Sequence, residues 1–176
     1  MAITISGSSP TFSSTYQGGV LTSGTAVAAS GSSVSFTSIP SWTKRITLML
    51  AGVSLNGSDG FLLRLGTSGG IDSSAGYTGM ENALTAGQGT GTNQFSTSFW
   101  IMGGWTGAGY YWSGNVFLTN INGNTWCLSG CIAADTTASV HLSAGYKTLS
   151  AALTQIQMLP SSTNTFDAGT VNVLYE

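Results

Sequence analysis

The feature that most constrains the fold is an alternation of side chains at residues 45–51, within the most persistently apolar run in the first half of the chain, residues 45–53. Ile46, Leu48 and Leu50 fall on one face of this run. A period of two predicts a β-strand, and the first of its two faces is entirely apolar. Pro40 lies just before the run. Proline has no amide hydrogen to donate, so it suits the approach to a strand and not its centre. We therefore expect this strand to lie at the centre of the core.

The residues that follow this strand predict a hairpin. Asn56 and Gly57 form a pair that is common in two-residue hairpin turns, because both residues tolerate positive φ. Residues 61–65 (Phe-Leu-Leu-Arg-Leu) would supply the return strand. A second and clearer hairpin signal is the pair Asn122 and Gly123, which lies between two strand-like segments.

The rest of the chain predicts short strands separated by turns. Glycine supplies 25 of the 176 residues, about twice the usual share, which indicates many turns. Residues 66–93 predict a long polar surface loop with short strand segments, and residues 135–145 predict a turn region that holds His141. Residues 148–159 predict one long strand, and residues 169–175 predict the final strand. No segment has a convincing helical pattern.

These elements predict an all-β fold made of one antiparallel β-sandwich, jelly-roll-like, with about eight strands. Residues 1–33 are rich in Ser, Thr, Gly and Ala and predict an extended N-terminal arm, or a weak edge strand, that attaches the protein to others. Residues 34–176 form the predicted sandwich domain. No fixed internal period is present, which argues against a β-helix or a propeller.

The charge content is low and limits the classes of partner. Charged residues make up 6% of the chain and the net charge is −2, whereas soluble proteins average about 25% charged residues. Such a surface has little to keep its copies apart, which favours self-association. Lys44 and Arg45 are the only adjacent basic pair, so we expect no nucleic-acid partner.

We expect no signal for export or membrane insertion in this chain. Residues 1–7 lack a basic start and an apolar stretch, and no later run approaches the ~18 apolar residues that span a bilayer. We expect a protein made in the host cytoplasm. A virion protein that is released on lysis would reconcile this synthesis with a composition that suits an extracellular surface.

The two cysteines do not form a recognisable site. Cys127 and Cys131 are four residues apart, which in a strand places them on one face roughly 13 Å apart, too far for a disulfide. No histidine lies at ligand spacing, so they make a poor zinc site. We interpret them as small buried hydrophobic residues and expect no metal.

The sequence also gives little support for catalysis. A single histidine in a turn and the absence of a Gly-x-Ser-x-Gly motif argue against a hydrolase triad. Paired carboxylates for glycoside cleavage stay open, because distant acids could meet in space. Each acid, however, lies among Gly, Ser, Thr or Asn, where acids commonly cap turns. We therefore predict no enzyme activity and no cofactor. The five acids concerned are Asp59, Asp72, Glu81, Asp135 and Asp167.

The strongest binding candidate is a cluster of aromatic residues on a glycine-rich segment. Trp105, Tyr110, Tyr111 and Trp112 are spaced by glycines that permit rearrangement. Large aromatic side chains are costly to leave exposed unless they pack or bind. We predict that these four residues include a contact surface for a receptor, such as a sugar, or for a partner subunit. The alternative is that the aromatics fold back onto the sandwich, which we expect for at least two of the four.

Several segments of the chain resemble a module of tailed-bacteriophage structural proteins, commonly labelled tail fibre or hypothetical. The resemblance rests on LTSGT at 21–25, FTSIPSWTKRIT at 36–47, GVSLNG at 52–57 and FDAGTVNVLYE at 166–176. It implies a virion protein, often placed at the end of a longer fibre. Fibre proteins of this kind are usually trimeric, so the resemblance implies a homotrimer. It supplies no catalytic residues.

The sequence and the resemblance together leave three hypotheses about function. The first is the receptor-contacting head of a tail or virion fibre, which binds a host surface glycan or protein without catalysis. The second is capsid decoration, cement or fibre assembly, with residues 1–33 contacting other virion proteins. The third is a carbohydrate-binding or carbohydrate-cleaving protein.

Overall fold

The protein folds into two antiparallel β-sheets that share one hydrophobic core, which confirms the all-β prediction and is consistent with a β-sandwich. The computed structural model describes residues 21–85, 92–103, 107–135 and 139–176. Residues 1–20 of the predicted arm lie outside that part. The jelly-roll part of the prediction is not confirmed.

The larger sheet has nine strands in the order β1-β14-β4-β10-β11-β12-β7-β8, with β2 also paired to β14. Its strands are β1 (Thr22–Ser23), β2 (Val27–Ala28), β4 (Arg45–Leu55), β7 (Thr78–Thr85), β8 (Thr92–Gln94), β10 (Trp112–Asn122), β11 (Thr125–Ala134), β12 (Ser139–Thr148) and β14 (Phe166–Tyr175). The smaller sheet has the order β3-β13-β5-β6, with β9 also paired to β5. Its strands are β3 (Val34–Phe36), β5 (Phe61–Thr67), β6 (Gly70–Ile71), β9 (Phe99–Met102) and β13 (Gln155–Pro160).

Strand β4 lies inside the larger sheet, as its alternation predicts. It pairs with β14 on one side and with β10 on the other. Ile46, Leu48 and Leu50 are buried, and the residues between them are exposed or half-buried. In β14, Val171 and Val173 point inward in the same way, as predicted.

The predicted hairpin between β4 and β5 is wrong, because the two strands belong to different sheets. The Asn56 amide donates to the Thr165 carbonyl at 3.0 Å, and the Asn56 side-chain oxygen accepts from the Thr165 amide at 2.9 Å. These bonds hold the Asn-Gly pair against the loop before β14, so the chain crosses between the sheets. Both strands are strongly apolar, and the two-sheet arrangement lets each bury its apolar face. The second predicted hairpin is confirmed, since β10 and β11 pair along their length around Gly123, whose φ is 52°.

The predicted turn region at 135–145 is wrong, because it contains most of β12. The predicted loop at 66–93 does contain short strand segments, but it also contains the eight-residue strand β7. The physical reason is that these two strands carry polar side chains toward the core and large apolar side chains toward solvent. In β7, Glu81 points inward, whereas Met80 and Leu84 point to solvent. In β12, His141 is buried and Leu142 is exposed. A search for apolar residues on the buried face therefore misses both strands.

Two smaller expectations are corrected by the structure. The long strand predicted at 148–159 is shorter than expected, since β12 ends at Thr148 and β13 spans only Gln155–Pro160. The cysteines are not buried as predicted: Cys127 is half-buried and Cys131 is exposed, and both are free. They lie on the outer face of β11, because the inward positions of that strand are taken by Trp126, Leu128 and Ile132.

Residues 21–33 add two short strands to the edge of the larger sheet. Thr22 and Ser23 pair with the end of β14, and Val27 and Ala28 pair with its middle. The division of the chain at residue 33 stays a prediction.

Candidate functional site

The predicted aromatic segment lies at one end of the two sheets, which we call the loop end. Here β7, β9 and β11 end, and β10 and β12 begin. The register shows this directly, because Trp112 at the start of β10 pairs with Ala134 at the end of β11. Ser139 at the start of β12 likewise pairs with Thr85 at the end of β7. The loop end therefore collects the connections of five strands.

The structure separates the four predicted contact residues. Trp105 lies outside the described residues. Trp112 is only 1% exposed and packs in the core. Tyr110 is half-buried and packs against the same core. Tyr111 is 41% exposed, so it is the most accessible of the three described residues.

Tyr111 is held in place through its backbone. The Tyr111 amide donates to the Asp135 carboxylate at 3.3 Å, and the Asp135 amide donates to the Tyr111 carbonyl at 3.0 Å. These two bonds tie the chain entering β10 to the end of β11. An exposed tyrosine on a fixed backbone offers a large apolar ring and a hydroxyl at a low cost in conformational entropy.

A fully buried polar network lies beneath this segment, and the sequence analysis did not predict it. The side chains of Glu81 and His141 are both 0% exposed, and Glu81 Oε1 lies 2.5 Å from His141 Nδ1. His141 Nε2 lies 3.3 Å from the hydroxyl of Ser139. From the shorter contact we assign the imidazole proton to Nδ1, where it is donated to Glu81. Ser139 then donates to Nε2.

Three neighbours complete the surroundings of this pair. The Asn93 side-chain amide donates to Glu81 Oε2 at 2.8 Å. The Gly103 amide lies 3.3 Å from His141 Nδ1, but with the proton on Nδ1 this approach is a contact and not a hydrogen bond. A Cβ added at Gly103 would overlap the Asn93 amide and lie 2.6 Å from Glu81 Oε2. Only glycine permits this close approach. The Trp112 ring covers the imidazole edge-on, with ring centres 4.9 Å apart.

The order of groups from Ser139 through His141 to Glu81 is that of a nucleophile, a base and an orienting acid. In the described part of the chain, however, all three side chains are buried. A substrate would need to reach the Ser139 hydroxyl, and Ser139 is only 6% exposed. The Glu81–His141 contact connects β7 with β12, and Gly103, which follows β9, packs against both side chains. We call Glu81, His141 and Ser139 the brace, because they connect strands beneath the segment that carries Tyr111.

A second polar cluster lies at the opposite end of β12 and holds the loop before β7. Lys147 Nζ is buried, lies 3.1 Å from Asp72 Oδ2 and donates to the Ala75 carbonyl at 2.9 Å. Burial alone would raise the pKa of Asp72, but hydrogen bonds from Ser74 and the Lys147 ammonium outweigh it, so that the pKa is lowered. The Tyr77 hydroxyl donates to the Asp72 carbonyl at 2.7 Å. All of these bonds are internal, so the cluster is structural.

Neither a metal site nor a membrane-spanning helix is found in the part of the chain that the structure describes. No group of three or more His, Cys, Asp or Glu residues there could hold a metal ion. No helix among the same residues is long and apolar enough to cross a bilayer. The comparisons with known proteins give no further guide: no protein-family model, curated protein or solved structure matches this chain.

Proposed function

We propose that this protein is a bacteriophage structural protein, the receptor-contacting head of a tail or virion fibre, which binds the host surface without catalysis. The observation that carries the proposal is the exposed Tyr111 at the loop end, held by Asp135 above a buried brace. The sequence resemblance to phage fibre modules supports it. The proposal includes a homotrimer on the virion surface, made in the host cytoplasm and released on lysis, with residues 1–33 contacting other virion proteins.

The construction of the loop end suits adhesion. A binding surface gains affinity when its contact residues are already held in position, because less entropy is lost on binding. Tyr111 meets this condition, since its backbone is bonded on both sides to Asp135. A tyrosine ring can stack on the apolar face of a sugar or fill a pocket on a protein, and its hydroxyl can donate or accept a hydrogen bond.

The direct test uses the purified protein, fluorescently labelled, and a panel of bacterial cells scored by flow cytometry. Tyr111→Ser should lower binding to any strain that the wild-type protein binds, without lowering the thermal midpoint. Trp42→Ser is the matched control, because Trp42 is similarly exposed but precedes the start of β4, at the opposite end of the sheet. Equal binding by Tyr111→Ser and the wild type would show that the loop end does not contribute to adhesion.

The location of the protein on the particle separates fibre head from capsid decoration. In an electron-microscopy map of a phage particle that carries this chain, the proposal expects the two sheets at the tip of a fibre, with the loop end outward. Density on the capsid shell would instead identify a decoration or cement protein. Deletion of residues 1–20, which keeps β1 and β2 in place, should abolish incorporation into particles in either case.

A further inference from the structure

Strand β12 carries polar side chains toward the core and apolar side chains toward solvent, and β7 does the same at Met80, Glu81 and Leu84. The inward positions of β12 carry Ser139, His141, Ser143 and Lys147, all of them buried and polar. Its outward positions carry Val140, Leu142, Ala144 and Tyr146. A strand with one face in water has the opposite pattern, with apolar residues inward and polar residues outward. The outer face of these strands is therefore rich in large apolar side chains, with Thr78 and Asn82 of β7 between them.

Cross-strand pairing gathers the outward side chains into one area. Leu142 lies opposite Cys131 of β11, and Met80 of β7 lies opposite Ala144. We call this area the β12 patch, defined by its six largest or most central residues. They are Met80, Leu84, Phe117, Cys131, Leu142 and Tyr146. Five of these are 40–52% exposed, and they make up five of the nine large hydrophobic side chains that are exposed among the described residues. Clustering of this kind marks an interaction surface, whereas scattered exposed apolar residues do not.

We propose that the β12 patch is covered by a second copy of this chain. The first argument is charge. The outward side chains of β7, β11 and β12, strands that the structure describes in full, include no charged residue. A nucleic acid, an acidic peptide or a basic peptide would find no opposite charge there. An uncharged face has no like charges to repel a second copy, and in a closed ring such as the proposed trimer it packs against another face of the neighbouring copy.

The second argument is area. Four neighbouring strands at ~4.8 Å spacing and about eight residues at ~3.4 Å rise give a footprint of roughly 500 Å² per copy. Two such faces bury about 1,000 Å², which is near the lower limit for a specific interface. The patch is therefore large enough for a homo-oligomer of moderate affinity. The outer face of the smaller sheet differs, since its outward positions include Ser35, Arg64 and Gln157.

This inference rests on the proposed homo-oligomer and names the surface that forms it. The first experiment measures the mass of the full chain by light scattering at rising micromolar concentrations. The wild type should exceed the monomer mass of 18.0 kDa. Because the patch carries no charge, it should do so up to about 1 M salt, where the Debye length is about 3 Å. Leu142→Lys should raise the dissociation constant by at least about tenfold, because an unpaired charge in an interface is costly. Ser35→Lys, on the other sheet, should leave the mass unchanged.

The second experiment keeps Leu142 and uses Cys131 as a probe, so that it does not depend on how the lysine variant folds. In a Cys127→Ser background, maleimide should react with Cys131 in dilute solution and be excluded from it at concentrations where the oligomer forms. An oligomer in which Cys131 stays reactive and Leu142→Lys has no effect would show that the chain self-associates through a surface other than the β12 patch. A wild-type chain that stays monomeric, with Cys131 reactive throughout, would overturn both. Neither result affects the Tyr111 binding test, which measures adhesion alone.

Discussion

Removal of either partner of the buried Glu81–His141 pair should destabilise the protein severely. In Glu81→Ala, the fully buried His141 imidazole loses the acceptor 2.5 Å away, and the half-buried Asn93 amide loses the acceptor 2.8 Å away. Breaking a buried ionisable pair by removing one partner costs about 3–5 kcal/mol. A domain of this kind has a total stability of about 5–15 kcal/mol. We therefore expect the variant to lose a large fraction of its stability.

Urea unfolding followed by tryptophan fluorescence measures this loss, and the structure supplies a local reporter. The Trp112 ring centre lies 4.9 Å from that of His141, so its emission responds to the state of the brace. Protein concentration must be held constant across variants, because association shifts the apparent stability. Glu81→Gln is the matched control. It keeps one oxygen acceptor but places an amide against Asn93, so it should cost less than Glu81→Ala.

A double-mutant cycle then isolates the pair itself. In Glu81→Leu/His141→Leu both polar partners are replaced by apolar groups, and neither is left buried alone. The loss of unfolding free energy in the double variant should therefore be much smaller than the sum of the losses in Glu81→Leu and His141→Leu. Strict additivity, or a loss below about 1 kcal/mol for each single variant, would refute the brace.

Three further predictions follow from other parts of the structure. Leu48→Ala should cost about 2–5 kcal/mol in urea unfolding, because Leu48 is buried in β4 and its loss leaves a cavity; a loss below about 1 kcal/mol would mean that the faces of β4 are reversed. Gly103→Ala should cost about 1–3 kcal/mol, because the added methyl group overlaps the Asn93 amide beside Glu81, and an unchanged denaturation midpoint would contradict this contact. Burial raises the pKa of Tyr77 to about 12, against an ordinary value of about 10. The folded state therefore holds this proton more tightly, and the resulting stability is complete below about pH 10 and is lost as the pH rises towards 12. In denaturation curves across that range, Tyr77→Phe should show a weaker decline than the wild type.

The sequence predicted the strands correctly where apolar side chains face the core and polar side chains face solvent. The alternation around Leu48 identified the central strand and its buried face, and Asn122 and Gly123 identified the hairpin that the structure contains. The fold class followed from these strands. The hairpin predicted at Asn56 failed because a turn signal depends on what the side chain binds, and Asn56 binds a loop that is distant in sequence.

The candidate site was harder to predict, because its strands carry polar residues inward. Glu81 and His141 lie 60 residues apart in sequence, and neither is part of a recognisable motif. One signal was available for Trp112. Extending the alternation of Val116 and Leu118 back along β10 places Trp112 on the same inward face. That parity distinguishes the buried Trp112 from the exposed Tyr111 beside it.

The pairing of β4 with β14 affects how the chain reaches this fold during synthesis. Leu48 pairs with Val173, so one long edge of β4 stays open until residues 166–175 have left the ribosome. Contacts between such distant segments form slowly, because a long loop must close before they are made. Until then the open edge presents a row of unpaired backbone groups that another chain can extend. A ribosome stalled before Phe166 would therefore release a product prone to strand addition, and rapid completion of the chain protects against aggregation.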